Sequence, residues 1–389
     1  MNLHIVDGHR HARLSGYGML SRNIVFELDE LGHQIYLQRG DRLWETIERG
    51  ARERLEALPI MERYEQVELV LQIGTPASCR QVPKPSLMYT QNALGDLRDE
   101  WIEALQAVDG CIVPSEFDRR VFERYFDRVY VARQSSDPQI FRPVPAWREE
   151  GSKRFTFLFV GSYSYRKGVD LLLEAFLREF SPEEDVELVM HTAGIGRGTE
   201  FNHLLSYLQR INAKAHVSVF GKSLTPEWMA RLYNRSDCVI TLTRGEGWCM
   251  PVTEALLCEV PVVAPRSTAM AEYLSDDIAY LVPVTERTIA DIDEAFGRGF
   301  VRAYGKRGNV CYEPSVDEAR RQMRAVVDDP DAARHKAAAG RALIAEQVSW
   351  PNAVRDVERA LLDLQASSPR GDGTAPAAPA ASLTQPEGI

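Results

Sequence analysis

The sequence has no uninterrupted apolar run approaching the roughly 18 residues that a membrane-crossing helix needs. Its amino terminus, MNLHIVDGHRHARLSGYG, has no long apolar core of the secretory kind and reads as a first strand and its loop. Cysteine is sparse: six residues, at 79, 111, 238, 249, 258 and 311, with no Cys-x-x-Cys pair. That spacing excludes a disulfide framework and a zinc ribbon. Most of the cysteines sit among apolar neighbours, as expected for reduced thiols in a cytoplasmic protein. Positive charge is in deficit, with 46 Lys and Arg against 56 Asp and Glu and a formal net charge of −10. A protein that coats nucleic acid or anionic lipid without specificity is thereby excluded.

What remains is ordinary globular material, 44% hydrophobic and 26% charged over 389 residues, enough for two or three domains. Short β-branched runs recur at Leu3–Val6, Leu69–Gln72, Gly110–Val113, Phe155–Val160, Val186–His191, His216–Phe220, Cys238–Thr241 and Pro261–Ala264. Amphipathic stretches lie between them, such as Leu20–Leu31, Trp101–Ala107, Val169–Phe180 and Pro226–Tyr233. Buried strands alternating with helices of this length predict βαβ units and an α/β fold with parallel sheets. The polar, Pro-rich stretch FRPVPAWREEGSK interrupts the pattern, and a second strand-and-loop, FTFLFVGSYSYRKG, follows it. Two domains therefore meet near residue 145, with ligand expected in the cleft between them. Residues 367–389, rich in Pro, Ala, Gly, Ser and Thr, lack bulky side chains and are expected to be a disordered tail.

The most informative segment is RGEGWCMPVTEALLCEVPVV, residues 244–263. It follows a strand and opens a helix, with Pro251 in the first turn, where its missing N–H loses nothing. The segment Gly247, Trp248, Cys249, Met250, Pro251 and Val252 makes a helix N-terminus whose backbone N–H groups, other than at Pro251, suit a diphosphate. Glu246 and Glu254 flank that seat. Carboxylates would repel phosphate, so both are expected to accept hydrogen bonds from sugar hydroxyls.

This Glu-x7-Glu segment resembles the signature of glycosyltransferase family 4. The resemblance implies a retaining enzyme of GT-B fold: two Rossmann-like domains, 1–145 on the acceptor side and 146–345 on the nucleotide-sugar side. A crossover helix at 346–366 would pack back on the first domain. In that family the first Glu lies by the transferred sugar and the second holds the ribose, here Glu246 and Glu254. A strand, then Gly-Arg, then Lys-Gly provides diphosphate contacts; Lys167 and Gly168 match, but Ser162 stands where the arginine belongs. Arg166 or Arg244 could supply that charge. Gly16 and Gly18 resemble the family's N-terminal glycine loop, and Gly221 and Lys222 fall where the base is contacted. Pro114-Ser115, Asp137, Phe141, Pro143 and Glu272 match further family positions.

The acceptor-side loop reads Thr90-Gln91-Asn92, without the His or Glu frequent in the family. His9 and His11, after the first strand, are alternative acceptor-side candidates. Asp291-Ile292-Asp293 and Asp329-Pro330-Asp331 fit a metal motif of other glycosyltransferases, but neither follows a buried strand, and the second reads as a helix start. Gly194-x-Gly196-x-Gly198 lacks the placement of a dinucleotide loop. The expectation is hexose or amino-hexose transfer from a nucleoside-diphosphate sugar to a small soluble acceptor, with no metal or other cofactor. The alternatives on the same fold are an epimerase, a sugar phosphorylase, or a non-catalytic nucleotide-sugar-binding protein.

Overall fold

The computed structural model describes residues 1–7, 14–38, 47–149, 153–192, 216–289 and 308–367. The first domain runs β1 (Asn2–Asp7), α1 (Gly16–Glu30), β2 (Gln34–Leu37), α2 (Arg49–Ala57), β3 (Leu69–Ile73), β4 (Ser86–Tyr89), α3 (Asp99–Leu105), β5 (Gly110–Val113), α4 (Glu116–Phe122) and β6 (Val129–Val131). Its strands form one parallel sheet in the order β2-β1-β3-β4-β5-β6. A short helix, α5 (Pro145–Glu149), occupies the predicted linker.

The second domain repeats the plan: β7 (Phe155–Val160), α6 (Val169–Glu179), β8 (Val186–His191), β9 (His216–Phe220), α7 (Pro226–Asn234), β10 (Cys238–Ile240), α8 (Met250–Leu257), β11 (Val262–Pro265) and β12 (Tyr280–Val282). These strands are also parallel, in the order β12-β11-β10-β7-β8-β9. An antiparallel hairpin follows, β13 (Val284–Thr288) with β14 (Val310–Pro314), and then α9 (Val316–Asp328), α10 (Pro330–Gln347) and α11 (Trp350–Ser367).

The strands at 110, 155, 186 and 216 have the bounds that the sequence predicts. Strands β2, β4, β6 and β12, each three or four residues long, are not among the predicted runs. In both sheets the first strand is where the winding reverses, since β1 lies between β2 and β3, and β7 between β8 and β10. The carboxyl end of such a strand is where an open α/β sheet binds ligand.

Helix α11 crosses back as expected. Trp350, Val354, Val357, Leu361 and Leu364 recur at helical spacing and are buried with Leu20, Ile24 and Leu28 of α1. His33 Nε2 and Glu358 Oε1, 2.7 Å apart, tie the end of α1 to it. Asp329 caps α10, its carboxylate accepting from Ala332 N–H at 2.9 Å, which is the helix start expected for that Asp-x-Asp. His9, His11, the Gly194–Gly198 and Asp291–Asp293 stretches and residues 368–389 lie outside the described residues. Among the described residues, no helix is long and apolar enough to cross a membrane.

Candidate active site

The loop after β7 ends at Gly168, whose φ of +65° begins α6. A Cβ there would overlap the Leu242 carbonyl at the end of β10, so the loop closes against the neighbouring strand only with glycine. This closure brings Arg166 and Lys167 over the segment that follows β10. Lys167 Nζ lies 2.6 Å from Glu246 Oε1, and Arg166 Nη1 lies 3.1 Å from Glu246 Oε2. Arg166 also donates to the Gly245 carbonyl at 2.8 Å. Thr243 Oγ1 donates to Glu246 Oε1 at 3.1 Å, and Glu246 N–H to Thr268 Oγ1 at 3.2 Å. Burial by itself would raise the Glu246 pKa, but Arg166 and Lys167 outweigh it and bring the group down to about 2. Glu246 is thus a fixed anion between two cations.

Helix α8 starts beside this cluster, with Pro251 in its first turn. Its N-cap, Cys249, is buried and has φ of +81°, a backbone region that favours glycine. Trp248 is buried against Tyr273, their rings 4.9 Å apart, and the Tyr273 hydroxyl donates to the Trp248 carbonyl at 2.7 Å. One turn into α8, Glu254 accepts from the Tyr233 hydroxyl at 2.7 Å. Burial pushes Glu254 up to about 7, with the Tyr233 bond opposing.

The first domain closes directly onto this loop. A Cβ at Gly247 would stand 2.7 Å from the Asn92 carbonyl and 2.8 Å from Asp118 Oδ2, and one at Gly245 would overlap the Ala93 carbonyl. Thr90 and Asn92 are buried, and Asn92 N–H donates to Asp118 Oδ2 at 3.1 Å. Gln91 Oε1 accepts from Gln134 Nε2. Tyr17 lies beside Thr90, and burial holds its pKa well above the usual tyrosine range. From the second domain, Glu272 accepts from Glu116 N–H and Phe117 N–H at the start of α4, at 3.1 and 2.5 Å.

Two expectations change. Gly16 and Gly18 are not in a loop but in the first turn of α1, capped by Ser15, whose Oγ accepts from Gly18 N–H at 3.1 Å. Arg244 is not a cleft cation. Its side chain is 0% exposed, and Asp170, Glu313 and the Tyr165 carbonyl occupy its guanidinium. Of the two arginines considered for the Ser162 departure, Arg166 alone reaches the Lys167–Glu246 cluster.

Gly221 and Lys222 follow β9, and the Lys222 carbonyl lies 2.9 Å from His191 Nε2. His191, at the carboxyl end of β8, is a residue that motif reading misses, although a polar residue ending a buried strand is its signal. Burial lowers its pKa, with the Lys222 bond opposing. Asp118 and Tyr17 are missed as well, because nothing local marks a helical Asp or a lone Tyr as facing a second domain. Among the described residues, no group of three or more His, Cys, Asp or Glu side chains is arranged to hold a metal ion.

Residues 145–297 match the family described as Glycosyl transferases group 1. Curated relatives include an uncharacterized glycosyltransferase of Methanocaldococcus jannaschii, 27% identical over 127 residues, 33% of each chain. Another is the alpha-maltose-1-phosphate synthase of Mycolicibacterium smegmatis, 26% identical over 267 residues, 64% of this chain and 62% of that one. The chain thus spans about a third and three fifths of the length of these relatives. Among solved structures, sucrose-phosphate synthase from Thermosynechococcus elongatus superposes with a TM-score of 0.70 at 14% identity, covering 95% of this chain and 100% of that one. The Anabaena protein HepE in complex with UDP gives 0.67 at 13% identity, covering 93% and 100%. The fold is GT-B, and the second domain is similar to the group 1 glycosyltransferases.

Proposed function

We propose that this chain is a retaining, metal-independent glycosyltransferase. It moves a hexose or amino-hexose from a nucleoside-diphosphate sugar to a hydroxyl of a small, soluble acceptor, a saccharide or a natural product. The observation that carries this reading is the Arg166–Glu246–Lys167 cluster, set at the N-terminus of α8 and at the mouth of β7. A leaving diphosphate develops charge on its outer oxygens, and donors already fixed in a low-dielectric site stabilise it without reorganising. Lys167, Arg166 and the amides opening α8 are such donors.

Glu246 holds both cations in register before the donor arrives. When the diphosphate engages them, the carboxylate turns to the sugar hydroxyls, the role that the family resemblance implies for it. Glu254, raised to about 7, is ionised in only part of the population near neutral pH, and in that form it accepts from the ribose. The acceptor hydroxyl attacks on the leaving-group face, and a donor phosphate oxygen takes its proton, as in the family. The UDP complex of HepE supports a nucleotide ligand for this fold.

The test is a thermal-shift panel of nucleoside diphosphates and nucleotide sugars, followed by product mass and anomeric assignment by NMR. An inverted anomer would overturn the retaining reading. The absence of any stabilising nucleotide would overturn the donor class.

A further inference from the structure

Arg244 lies at the centre of a buried charge network. Its Nη1 and Nη2 donate to the two oxygens of Asp170 at 2.8 and 2.7 Å, and Nε and Nη2 to Glu313 Oε2 at 3.2 and 3.1 Å. Nη1 also reaches the Tyr165 carbonyl at 2.7 Å, and the guanidinium stacks 3.6 Å from the Tyr165 ring centroid. A buried cation is tolerated only when its donors are satisfied in this way, and the planar fork of arginine suits two carboxylates at once.

The backbone of Arg244 extends the network. Its N–H donates to the Arg166 carbonyl at 2.7 Å, and its carbonyl accepts from Tyr312 N–H at 2.9 Å. One residue therefore ties together the loop carrying Arg166 and Lys167, the loop carrying Glu246, and strand β14.

Strand β14 also touches the first domain. Gly95 N–H donates to the Val310 carbonyl at 3.0 Å, and Asn309 Nδ2 to the Asp96 carbonyl at 2.9 Å. Leu94 packs with Ile289 and Cys311 of the hairpin, and a Cβ at Gly95 would overlap Val310. Residues 94–96 continue directly from the Thr90–Asn92 loop that faces Gly247.

We propose that Arg244 and Glu313 are positioning residues. Through the β13–β14 hairpin they couple the acceptor-side loop of the first domain to the Arg166–Glu246–Lys167 cluster. When the 90–96 loop is seated, Asn309 and Val310 hold β14, Glu313 holds the guanidinium, and Arg244 fixes the carbonyls of Tyr165 and Arg166. The donor cations then point at the cleft. When the 90–96 loop is displaced, the same chain of contacts loosens the cations. The catalytic meaning of this coupling rests on the glycosyltransferase reading; the mechanical coupling does not.

The test uses the full chain and the variants Glu313→Gln, Asn309→Ala and Arg244→Lys. Glu313→Gln leaves Asp170 to pair with Arg244, so the fold is expected to survive. Asn309→Ala carries the test if it does not. Hydrogen exchange of residues 162–168 should rise in both variants; the Asn309 side chain donates to the Asp96 carbonyl of the first domain and accepts from Val310 N–H of its own hairpin, and touches neither Arg244 nor the 162–168 loop. Turnover of the nucleotide sugar selected by thermal shift should fall about tenfold, with its KM within about twofold, the signature of lost positioning rather than lost binding. Arg244→Lys keeps the charge but not the fork, and should behave like Glu313→Gln.

Exchange that rises only in the hairpin and leaves 162–168 at wild-type protection would overturn the coupling. Wild-type behaviour of Arg244→Lys would overturn the need for the fork. A wild-type chain that turns over no nucleotide sugar sinks the activity reading, and the exchange measurement still decides the coupling.

Discussion

Lys167 Nζ and Glu246 Oε1 are 2.6 Å apart, joined across two loops that leave different strands of one sheet. Because Arg166 holds the other carboxylate oxygen, neither loop can move without unpairing a buried charge, which is strongly destabilising. The pair is thus both a structural latch and the candidate chemistry.

Lys167→Ala and Glu246→Ala should each lower kcat by about 10²–10³, the scale of losing one preorganised charge-stabilising group. Arg166→Ala should raise the donor KM as well as lower kcat. Steady-state kinetics with circular dichroism as a folding check measures both, and near-wild-type turnover would remove these residues from the site.

The pH dependence of stability should carry the mark of Glu254. A carboxyl raised from 4.5 to about 7 by burial favours the folded state while protonated. That contribution is full below pH 4.5 and is lost as pH rises through about 7. Glu254→Gln should therefore flatten the fall in Tm between these two values. Nucleotide affinity should rise across the same interval in the wild type, if the ionised carboxylate holds the ribose, and stay level in the variant. Glu246 has the opposite sign. Held at about 2, it stabilises the fold above 4.5, and that contribution disappears only as pH falls toward 2. It cannot account for an acid limb near neutrality.

Two glycines should separate folding from function. Gly168→Ala forces a side chain into the left-handed region and into the Leu242 carbonyl, and should cost about 2 kcal/mol or more. Among the described residues, Gly16→Ala meets no atom within 4 Å beyond its chain neighbours and its own helix, and it sits in a helical turn, so stability should hold or rise by up to about 1 kcal/mol. If the donor lies against that turn, Gly16→Ala should nonetheless weaken nucleotide-sugar binding. Denaturant unfolding together with calorimetric titration distinguishes the two effects.

Position 249 offers an inverted substitution order. Alanine outperforms glycine inside helices, but at an N-cap with φ of +81° only glycine is unstrained. Cys249→Gly should therefore be more stable than Cys249→Ala, by about 1 kcal/mol in chemical denaturation. The reverse order would mean that the left-handed conformation relaxes once the thiol is gone.

The Glu-x7-Glu segment was legible as a strand, loop and helix start because its cues are local. A β-branched run, a Pro in the first turn and apolar helical spacing all act within a few residues. Glu246 and Glu254 stand out within that window, and Lys167 within a second local one, the strand and loop FTFLFVGSYSYRKG. Arg244 was misjudged for the same reason. Beside Glu246 in sequence, it looks like a cleft cation, but its partners Asp170 and Glu313 lie 74 residues before it and 69 after it. No local pattern announces a buried guanidinium. His191, Tyr17 and Asp118 were silent on the same account.

Local patterning in the sequence is enough to announce two parallel α/β units, since alternation of buried strands and amphipathic helices is a property of neighbouring residues. Tertiary packing alone sets which charges face the cleft. That outcome depends on desolvation and on partners brought from distant segments: Arg166 and Lys167 are left to meet Glu246 at the cleft, while Arg244 is turned inward by two carboxylates. It also decided that the acceptor-side loop and the β13–β14 hairpin bear on the same site, because their contacts join residues separated by more than two hundred positions of chain.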